Sequence, residues 1–344
     1  MSATKEIIVI GAGIAGLACA SKLLAEGCQV KILEKSPGVG GRMATRRVQG
    51  TWVDHGTQYF KVTDYTLARL IDSLLNLGIV QVWDTPLWEL KQGKLCPVPN
   101  QWQARYICPL GMTALAKYLA HPLQIQEALL TNVRITAVAV SGAKWQLKSD
   151  RAEIFSAPIL VSTIPAPQFL PLFSKALVSN QELLNTIAAV EFVPSLSVMA
   201  GYDMEATVPP EWYAISSRDD PYLSWICLNS AKAGQVETAP VFVCHSSPEY
   251  AQSSLEENNL ENAGKPMLKQ LGKVLAPWLE HPLWWQVHRW RYALVADPLI
   301  TPYLLTTKPA PLICAGDWCG GKDLQSAYLS GLAAADAVLD LLSE

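Results

Sequence analysis

Residues 7–43 constrain the fold of this 344-residue chain more than any other segment. They open with an unbroken apolar run at 7–10, which is typical of a strand buried on both faces of a parallel sheet. Three glycines follow at once in the pattern G-x-G-x-x-G, and residues 14–26 have the apolar spacing of a helix. A second buried strand is expected at 30–33, directly before Glu34. This order predicts a β-α-β unit with a glycine-rich turn.

Each part of this unit has a role in binding a dinucleotide. The first glycine permits the tight turn, the second lets the backbone approach a pyrophosphate, and the third lets helix and strand pack closely. The acid follows the last glycine by 34 − 16 = 18 residues, close to the roughly 20 of the dinucleotide fingerprint, and it would accept hydrogen bonds from a ribose diol. The predicted dinucleotide site comprises Gly11, Gly13, Ile14, Ala15, Gly16, Glu34 and Lys35.

A second glycine cluster at 37–43 indicates which nucleotide is bound. It ends in Gly41-Arg42-Met43, and a simple NAD dehydrogenase does not need it. FAD is longer, and a second close backbone approach suits its ribityl chain. Here the sequence resembles the flavin-dependent amine oxidase superfamily, in which G-G-R follows the first fingerprint. The resident cofactor is therefore predicted to be FAD, with these three residues in contact with it.

Composition excludes several classes of protein. Half of the residues are apolar, 17% are charged and the net charge is −3, which gives no electrostatic basis for binding nucleic acid. The apolar stretch 7–25 is interrupted by glycines and lacks a strong basic flank, so neither a membrane span nor a signal peptide is predicted, and a cytoplasmic location is expected. The eight cysteines contain no C-x-x-C pair, so reduced thiols are expected, with no metal site and no disulfides.

The resemblance narrows after the second glycine cluster. The run GRMATRR at 41–47 and the pattern DHG-x-QYF at 54–60 resemble the renalase group, flavoproteins that oxidise off-pathway isomers of reduced nicotinamide nucleotides. Three later stretches, 223–234, 245–250 and 288–293, match the same pattern. The resemblance therefore spans nearly the whole chain.

The end of the chain provides a second cofactor motif. A buried strand at 312–315 leads into Gly316-Asp317, and a helix is expected from Ser326 onward. The aspartate can accept hydrogen bonds from ribityl hydroxyls, and the helix start aims N–H groups at the flavin. The resemblance further implies that the backbone of Val133 faces the adenine. The remaining predicted cofactor residues are Gly316, Asp317, Ser326, Ala327, His55 and Gly56.

The fold class expected from these patterns is α/β. A Rossmann-type FAD-binding domain with a parallel sheet would be joined by an α+β substrate domain with a mostly antiparallel sheet. The FAD-binding domain is predicted to be discontinuous, at 1–65, 103–168 and 296–344. The substrate domain is assigned to 66–102 and 169–295.

The chemistry implied by the resemblance is hydride transfer from a dihydro-nicotinamide isomer to flavin N5, with oxygen as acceptor and hydrogen peroxide as product. Because the oxidised nicotinamide is aromatic, no strong base is needed; the protein supplies position and electrostatics. Tyr59, Trp225 and Trp290 are the candidate walls of a flat aromatic slot. The candidate polar contacts are Gln58, Asn229 and His245, and for His245 an ordinary hydrogen-bonded strand histidine is an equal alternative.

Three other functions are also compatible with the sequence. An amine oxidase is the first, although Cys314 and Cys319 fit the position of a covalent flavin link poorly, so non-covalent FAD is expected. The second is a desaturase or reductase acting on a carotenoid- or quinone-like lipid. The third is a protein that binds flavin without catalysis.

Overall fold

The computed structural model describes residues 6–99, 103–203, 205–232 and 239–343. Its strands are β1 (Ile7–Ile10), β2 (Val30–Leu33), β3 (Thr45–Val48), β4 (Thr51–Asp54), β5 (Phe60–Lys61), β6 (Gln81–Val82), β7 (Trp88–Lys91), β8 (Lys94–Pro97), β9 (Arg105–Ile107), β10 (Leu129–Leu130), β11 (Ile135–Ser141), β12 (Lys144–Ser149), β13 (Ile154–Ala157), β14 (Ile159–Ser162), β15 (Phe192–Gly201), β16 (Ala214–Ser217), β17 (Leu223–Leu228), β18 (Val241–Ser246), β19 (Trp284–Val295), β20 (Leu304–Thr306) and β21 (Leu312–Cys314). Its helices are α1 (Ile14–Ala25), α2 (Tyr65–Asn76), α3 (Thr113–Ile125), α4 (Ala166–Phe173), α5 (Gln181–Ala188), α6 (Pro248–Ser253), α7 (Leu260–Val274) and α8 (Leu324–Ser343).

The chain divides into two compact, discontinuous units. The first comprises Met1–Arg42, Leu115–Phe192 and Val295–Glu344, and the second comprises Met43–Ala114 and Val193–Leu294. These boundaries differ from the sequence-based ones, which placed 43–65 and 103–114 with the nucleotide-binding unit and 169–192 with the other. The difference arises because each of these segments packs against parts of the chain that are distant in sequence.

The first unit is built on a six-stranded sheet in the order β10-β2-β1-β14-β21-β20. All neighbours are parallel except the edge strand β20, which is antiparallel to β21. Strands β1, β14 and β21 are buried along their whole length, as expected when helices cover both faces of a parallel sheet. The predicted Rossmann-type parallel sheet is confirmed.

The helices of the first unit pack tightly against each other and the sheet. A side chain at Gly331 of α8 would place its Cβ 2.2 Å from the carbonyl oxygen of Ala15, so this position lets α8 approach α1. Helix α4 contributes Phe169 and Phe173, whose stacked rings lie 4.0 Å apart in the same apolar cluster as Trp145. Helix α5 adds Leu184 and Ile187 to this cluster. Because 169–192 buries its apolar face in this cluster, the segment belongs to the first unit.

The second unit contains a seven-stranded sheet in the order β19-β15-β18-β17-β16-β7-β8. Strand β18 pairs antiparallel with both β15 and β17, β16 pairs antiparallel with β17, and β7 pairs antiparallel with β8, whereas β16 and β7 run parallel. Met267 and Leu271 of α7 join Phe242 and other buried side chains of the sheet in one core. The predicted mostly antiparallel sheet is confirmed. The hairpin β7–β8 forms one edge of this sheet, and residues 100–102 that follow it lie outside the described residues.

The strand register of this sheet brings three polar positions side by side. Ser197 on β15 pairs with His245 on β18, and Trp225 on β17 pairs with the same histidine. Register partners on adjacent antiparallel strands project to the same face of a sheet, about 5 Å apart. The strand register thus places Ser197, His245 and Trp225 in one row across the sheet. Ala233 and Gly234, which end the matching stretch after β17, lie outside the described residues.

Within the described residues, no helix has both the length and the apolar character required to cross a membrane.

Candidate functional site

The glycine-rich turn of the first unit has the geometry that each glycine was predicted to provide. Gly11 has a φ of +101°, a backbone conformation that favours glycine. A Cβ at Gly16 would lie 2.0 Å from the carbonyl oxygen of Gly11, so only glycine permits this close approach of helix and turn. A Cβ at Gly13 would meet no atom within 4 Å, and the backbone there faces open space. A phosphate group can therefore approach the chain at Gly13.

The start of α1 and the end of β2 complete the turn. Helix α1 begins at Ile14 with no side-chain cap and no acidic residue in its first turn, which leaves the positive end of its dipole available to an anion. The buried carboxylate of Glu34 accepts a hydrogen bond from the N–H of Ala12 at 2.7 Å and another from that of Ser36 at 2.8 Å. A carboxylate has about four acceptor positions, so two remain for a ribose diol. This arrangement fits the ADP half of FAD.

Arg42 and Asp317 connect the second glycine cluster to the C-terminal motif. The guanidinium donates two parallel hydrogen bonds to the carboxylate, from Nη1 at 2.5 Å and from Nη2 at 2.6 Å. Such a bidentate pair fixes geometry as well as adding energy. Residues 275 positions apart in sequence are thus held together. The carboxylate of Asp317, predicted to accept from ribityl hydroxyls, is oriented by Arg42.

The other predicted cofactor residues of the first unit are largely engaged within the protein. Helix α8 begins at Leu324, two residues before the predicted start, because Asp323 accepts hydrogen bonds from the N–H and hydroxyl of Ser326. The N–H of Ala327 also donates to the carbonyl of Asp323. Both amides that were expected to face the flavin are therefore used at the helix start.

Two positions next to Glu34 were also predicted to contact the cofactor. The N–H of Val133 donates to the carbonyl oxygen of Glu34 at 2.9 Å, so an adenine contact at this residue would have to use its own carbonyl oxygen. The ammonium of Lys35 lies 3.5 Å from the side-chain oxygen of Gln168. Burial lowers the pKa of Lys35.

The remaining predicted cofactor residues, Met43, His55 and Gly56, belong to the second unit. The ring of His55 is buried, stacked on Trp290 with ring centres 5.3 Å apart and edge-on to His288 at 4.8 Å. Burial, followed by the nearby His288 and Arg46, lowers the pKa of His55 to about 3. Its ring is neutral at physiological pH, and among the described residues its Nδ1 has no hydrogen-bond partner.

A buried ion pair, which the sequence did not reveal, supports the turn at His55. The ammonium of Lys232, only 4% exposed, lies 3.1 Å from Oδ2 of Asp54 and 3.2 Å from the side-chain oxygen of Gln58. The other oxygen of Asp54 accepts from the hydroxyl of Thr45 and from the N–H of Met112. These contacts explain why 43–65 and 103–114 belong to the second unit. In the sequence, Lys232 follows the strand β17 without any local pattern that would identify it as the partner of Asp54.

The amides of Gln58 and Asn229, predicted to contact substrate, are both engaged inside the second unit. The Gln58 nitrogen donates to the carbonyls of Asp54 and Gly56, at 2.5 and 3.0 Å, while its oxygen accepts from the lysine. Asn229 accepts from the N–H of Asp54 at 3.1 Å and donates to the carbonyl of Trp52 at 2.8 Å. The geometry therefore favours a role in holding the turn at 54–58 in place.

His245 has one ring nitrogen engaged and one without a partner. A ring N–H is hydrogen-bonded to the main-chain carbonyl of His55, and that carbonyl also accepts from Nε1 of Trp290 at 2.9 Å. Burial, followed by the charge of Lys232, lowers the pKa of His245 to about 4, so the ring is neutral near pH 7. The Nε2 atom is withdrawn from solvent and, among the described residues, makes no hydrogen bond. It is therefore a fixed acceptor.

The candidate aromatic walls fall into two groups in the second unit. Tyr59 contacts Trp225 with ring centres 5.6 Å apart and Trp83 at 5.5 Å. Trp290 instead packs on the two histidines His55 and His288. Trp83 was not selected from the sequence, because a single tryptophan in a loop carries no pattern that separates it from core packing.

The two cysteines near the C-terminal motif are poor candidates for a covalent flavin bond. Cys314 and Cys319 are buried, and burial raises the pKa of both thiols. A thiolate is the reactive form of cysteine, and a raised pKa disfavours it.

Comparison with known proteins agrees with this geometry. The sequence model of the family described as flavin containing amine oxidoreductase matches residues 100–339, and that of an NAD(P)-binding Rossmann-like domain matches residues 9–74. Renalase from Mus musculus is 23% identical over 327 residues, covering 91% of this chain and 92% of renalase. Putrescine oxidase from Kocuria rosea is 37% identical over 70 residues, covering 20% of this chain and 15% of that protein.

Solved structures show the same fold at low sequence identity. Cyclohexylamine oxidase from Brevibacterium oxydans superposes with a TM-score of 0.72 at 13% identity, over 99% of this chain and all (100%) of that one. Putrescine oxidase bound to putrescine superposes with a TM-score of 0.71 at 14% identity, over 98% of this chain and 99% of that chain.

The match to the amine oxidoreductase model extends over well more than half of the chain and includes the C-terminal motif at 316–317. The glycine turn, the acid at the end of β2 and the buried thiols agree with a flavin that is bound without a covalent link. The protein therefore belongs to the flavin containing amine oxidoreductase family and is an oxidoreductase that binds FAD non-covalently.

Proposed function

We propose that the protein is an oxidase that takes a hydride from a dihydro-nicotinamide nucleotide isomer. The observation that carries this proposal is the state of His245: a neutral ring, fixed through one nitrogen, with Nε2 available as an acceptor. The relationship to renalase along nearly the whole chain supports the same substrate class. The predicted roles of the site residues remain proposals.

His245 would position the substrate carboxamide and would not act as a base. An imidazole with a pKa of about 4 is a weak base at neutral pH, whereas its lone pair still accepts a hydrogen bond from an amide N–H. The indole N–H of Trp225, in register with His245, is buried and has no partner among the described residues. It would donate to the carboxamide oxygen. One acceptor and one donor side by side match the two ends of a carboxamide.

Tyr59, whose ring is tilted by 47° against that of Trp225, would provide an apolar ring face for the flat nicotinamide, since aromatic pairs prefer offset or tilted contacts. The buried network of Asp54, Lys232 and Gln58 would keep the turn that carries Tyr59 rigid. Bound FAD would supply the hydride acceptor, and with oxygen as the electron acceptor the product would be hydrogen peroxide. The residues of this chain contribute orientation and the exclusion of water.

Amine oxidation is the second candidate, because the family and its solved members include amine oxidases. An amine substrate would not need an acceptor and a donor placed for a carboxamide. The desaturase alternative rests on short matches such as the 47% identity over 58 residues to a 4,4'-diapophytoene desaturase from Staphylococcus haemolyticus, which covers 17% of this chain.

Anaerobic mixing of the yellow holoenzyme with a panel of donors tests the proposal. Rapid loss of flavin absorbance with dihydro-nicotinamide isomers, and slow or no loss with primary and secondary amines, is the expected result. Subsequent exposure to oxygen should regenerate the colour with one hydrogen peroxide per flavin. Reduction by amines alone would instead identify an amine oxidase, and failure of every donor would leave a flavin-binding protein without this catalysis.

A further inference from the structure

The side chain of Arg105 lies next to aromatic rings and has no role in the proposed hydride transfer. Arg105 is on β9, the central strand of a small sheet in the order β5-β9-β6 in the second unit. Its guanidinium carbon lies 5.3 Å from the ring centre of Trp83 and 5.9 Å from that of Tyr59. Tyr59 in turn contacts Trp225. The cation therefore adjoins the residues proposed to hold the nicotinamide ring.

The guanidinium is only partly satisfied by the protein. Its Nη2 donates to the carbonyl oxygen of Thr85 at 2.5 Å. Its Nη1 is shielded from solvent and has no hydrogen-bond partner among the described residues. Among the described residues no carboxylate forms an ion pair with Arg105, and Tyr59 and Asp84 act on it only by electrostatic attraction without such a contact.

Even partial withdrawal of a guanidinium from water is unfavourable unless the charge finds a partner. The two aromatic faces offset part of this cost for Arg105 through cation–π attraction. Burial accordingly lowers the pKa of Arg105, but the group remains charged. Side chains with unfilled donors and an intact charge recur where an anion is recognised.

We propose that Arg105 is an anion subsite that binds a phosphate group of the substrate. The inference rests on the proposed function, which supplies a substrate whose nicotinamide ring is attached to ribose phosphate. Arginine suits phosphate because its planar fork can donate two parallel hydrogen bonds. The residue as a whole is half-buried. The subsite would make the enzyme selective for phosphorylated nucleotides over the corresponding nucleosides.

Two donors that differ only in the phosphate test this selectivity. The affinities of reduced nicotinamide mononucleotide and of dihydro-nicotinamide riboside isomers are measured by anaerobic flavin reduction for wild type, Arg105→Met and Arg105→Lys. The methionine variant should bind the phosphorylated donor about 30–100-fold more weakly and leave the riboside unchanged. The lysine variant, which keeps the charge but loses the fork, should lose about 3–10-fold with the phosphorylated donor alone.

The exposed Arg69 of α2 provides the matched control, since Arg69→Met removes one positive charge from the same unit and should change neither affinity. Equal loss of affinity for both donors in the Arg105 variants, or equal affinity of wild type for both donors, would overturn the subsite.

If no dihydro-nicotinamide reduces the flavin, the proposed function fails, but a second experiment still tests the subsite. Inorganic pyrophosphate titrated against tryptophan fluorescence should then bind saturably to wild type and not to Arg105→Met, and absence of binding to wild type would refute it.

Discussion

At the scale of single residues, the most informative groups are buried polar atoms that have no hydrogen-bond partner in the part of the chain that the structure describes. Trp225 Nε1, His245 Nε2 and Arg105 Nη1 all belong to the second unit, and leaving such a group unpaired costs about 1–3 kcal/mol. The sequence suggested two of the three residues through motif resemblance. It could not distinguish His245 from an ordinary strand histidine, because that distinction depends on whether Nε2 has a partner.

The role of His245 leads to a prediction about rate. His245→Ala should lower the rate of anaerobic flavin reduction by a dihydro-nicotinamide isomer about 10–100-fold, since the carboxamide loses one hydrogen bond that orients it. FAD content should be unchanged. His245→Gln, which retains a side-chain amide, should recover part of the rate. Stopped-flow absorbance measures both, and a wild-type rate in the alanine variant would remove His245 from the mechanism.

At the scale of elements, the β1–α1 turn shows how neighbouring glycines serve different purposes. Gly13 and Gly16 belong to the same motif, yet a methyl group at the first meets open space and at the second meets the Gly11 carbonyl at 2.0 Å. Gly13 has a φ of −72°, which alanine adopts without strain. Gly13 is therefore needed for the approach of the ligand, and Gly16 is needed for the packing of the helix against the turn.

This difference predicts opposite phenotypes for two matched substitutions. Gly16→Ala should destabilise the protein by about 2–3 kcal/mol through overpacking, with a lower melting temperature even without FAD. Gly13→Ala should leave the melting temperature of the apoprotein within about 1 °C of wild type but weaken FAD retention, because its methyl group occupies the approach of the pyrophosphate. Thermal unfolding and the flavin-to-protein absorbance ratio separate the two. Full FAD retention in Gly13→Ala would contradict the assigned cofactor turn.

At the scale of the whole molecule, three of the five histidines have depressed pKa values and all three lie in the second unit. The pKa of His55 is lowered to about 3, and those of His245 and His288 to about 4, mainly by burial. Their ordinary value is about 6.5. The unfolded chain thus binds more protons than the folded one between about pH 6.5 and pH 4, so stability must fall as the pH decreases through that range.

The corresponding prediction is a melting temperature that is highest above pH 6.5 and falls steadily toward pH 4. The buried His55 alone contributes a slope of up to about 1.4 kcal/mol per pH unit, and the more exposed His288 contributes less. His55→Gln should flatten the slope relative to wild type, while the exposed His281→Gln serves as control and should not. Calorimetry between pH 4.5 and pH 7.5 checks this, and parallel curves for wild type and His55→Gln would show that His55 is not buried in its neutral form.

The sequence by itself determined the cofactor turn, the two-sheet fold class and the family resemblance. The cofactor turn could be predicted because its signals are close together in the sequence. The apolar run, the spaced glycines and the acid at the end of the second strand lie within about 40 residues, which is near the length of one βαβ unit. Strands β1 and β2 accordingly occupy the predicted residues, and α1 ends one residue early.

Only the tertiary structure decided which distant side chains meet. Lys232 reaches Asp54 across 178 residues, Arg42 reaches Asp317 across 275, and the domain boundaries follow these contacts and not any linker. The structure also shows that the side-chain amides of Gln58 and Asn229 are hydrogen-bonded within the protein, whereas Nη1 of Arg105 has no partner among the described residues. A hydrogen-bond partner is a property of the packed chain: it depends on strand register and burial, neither of which is encoded at one position of the sequence.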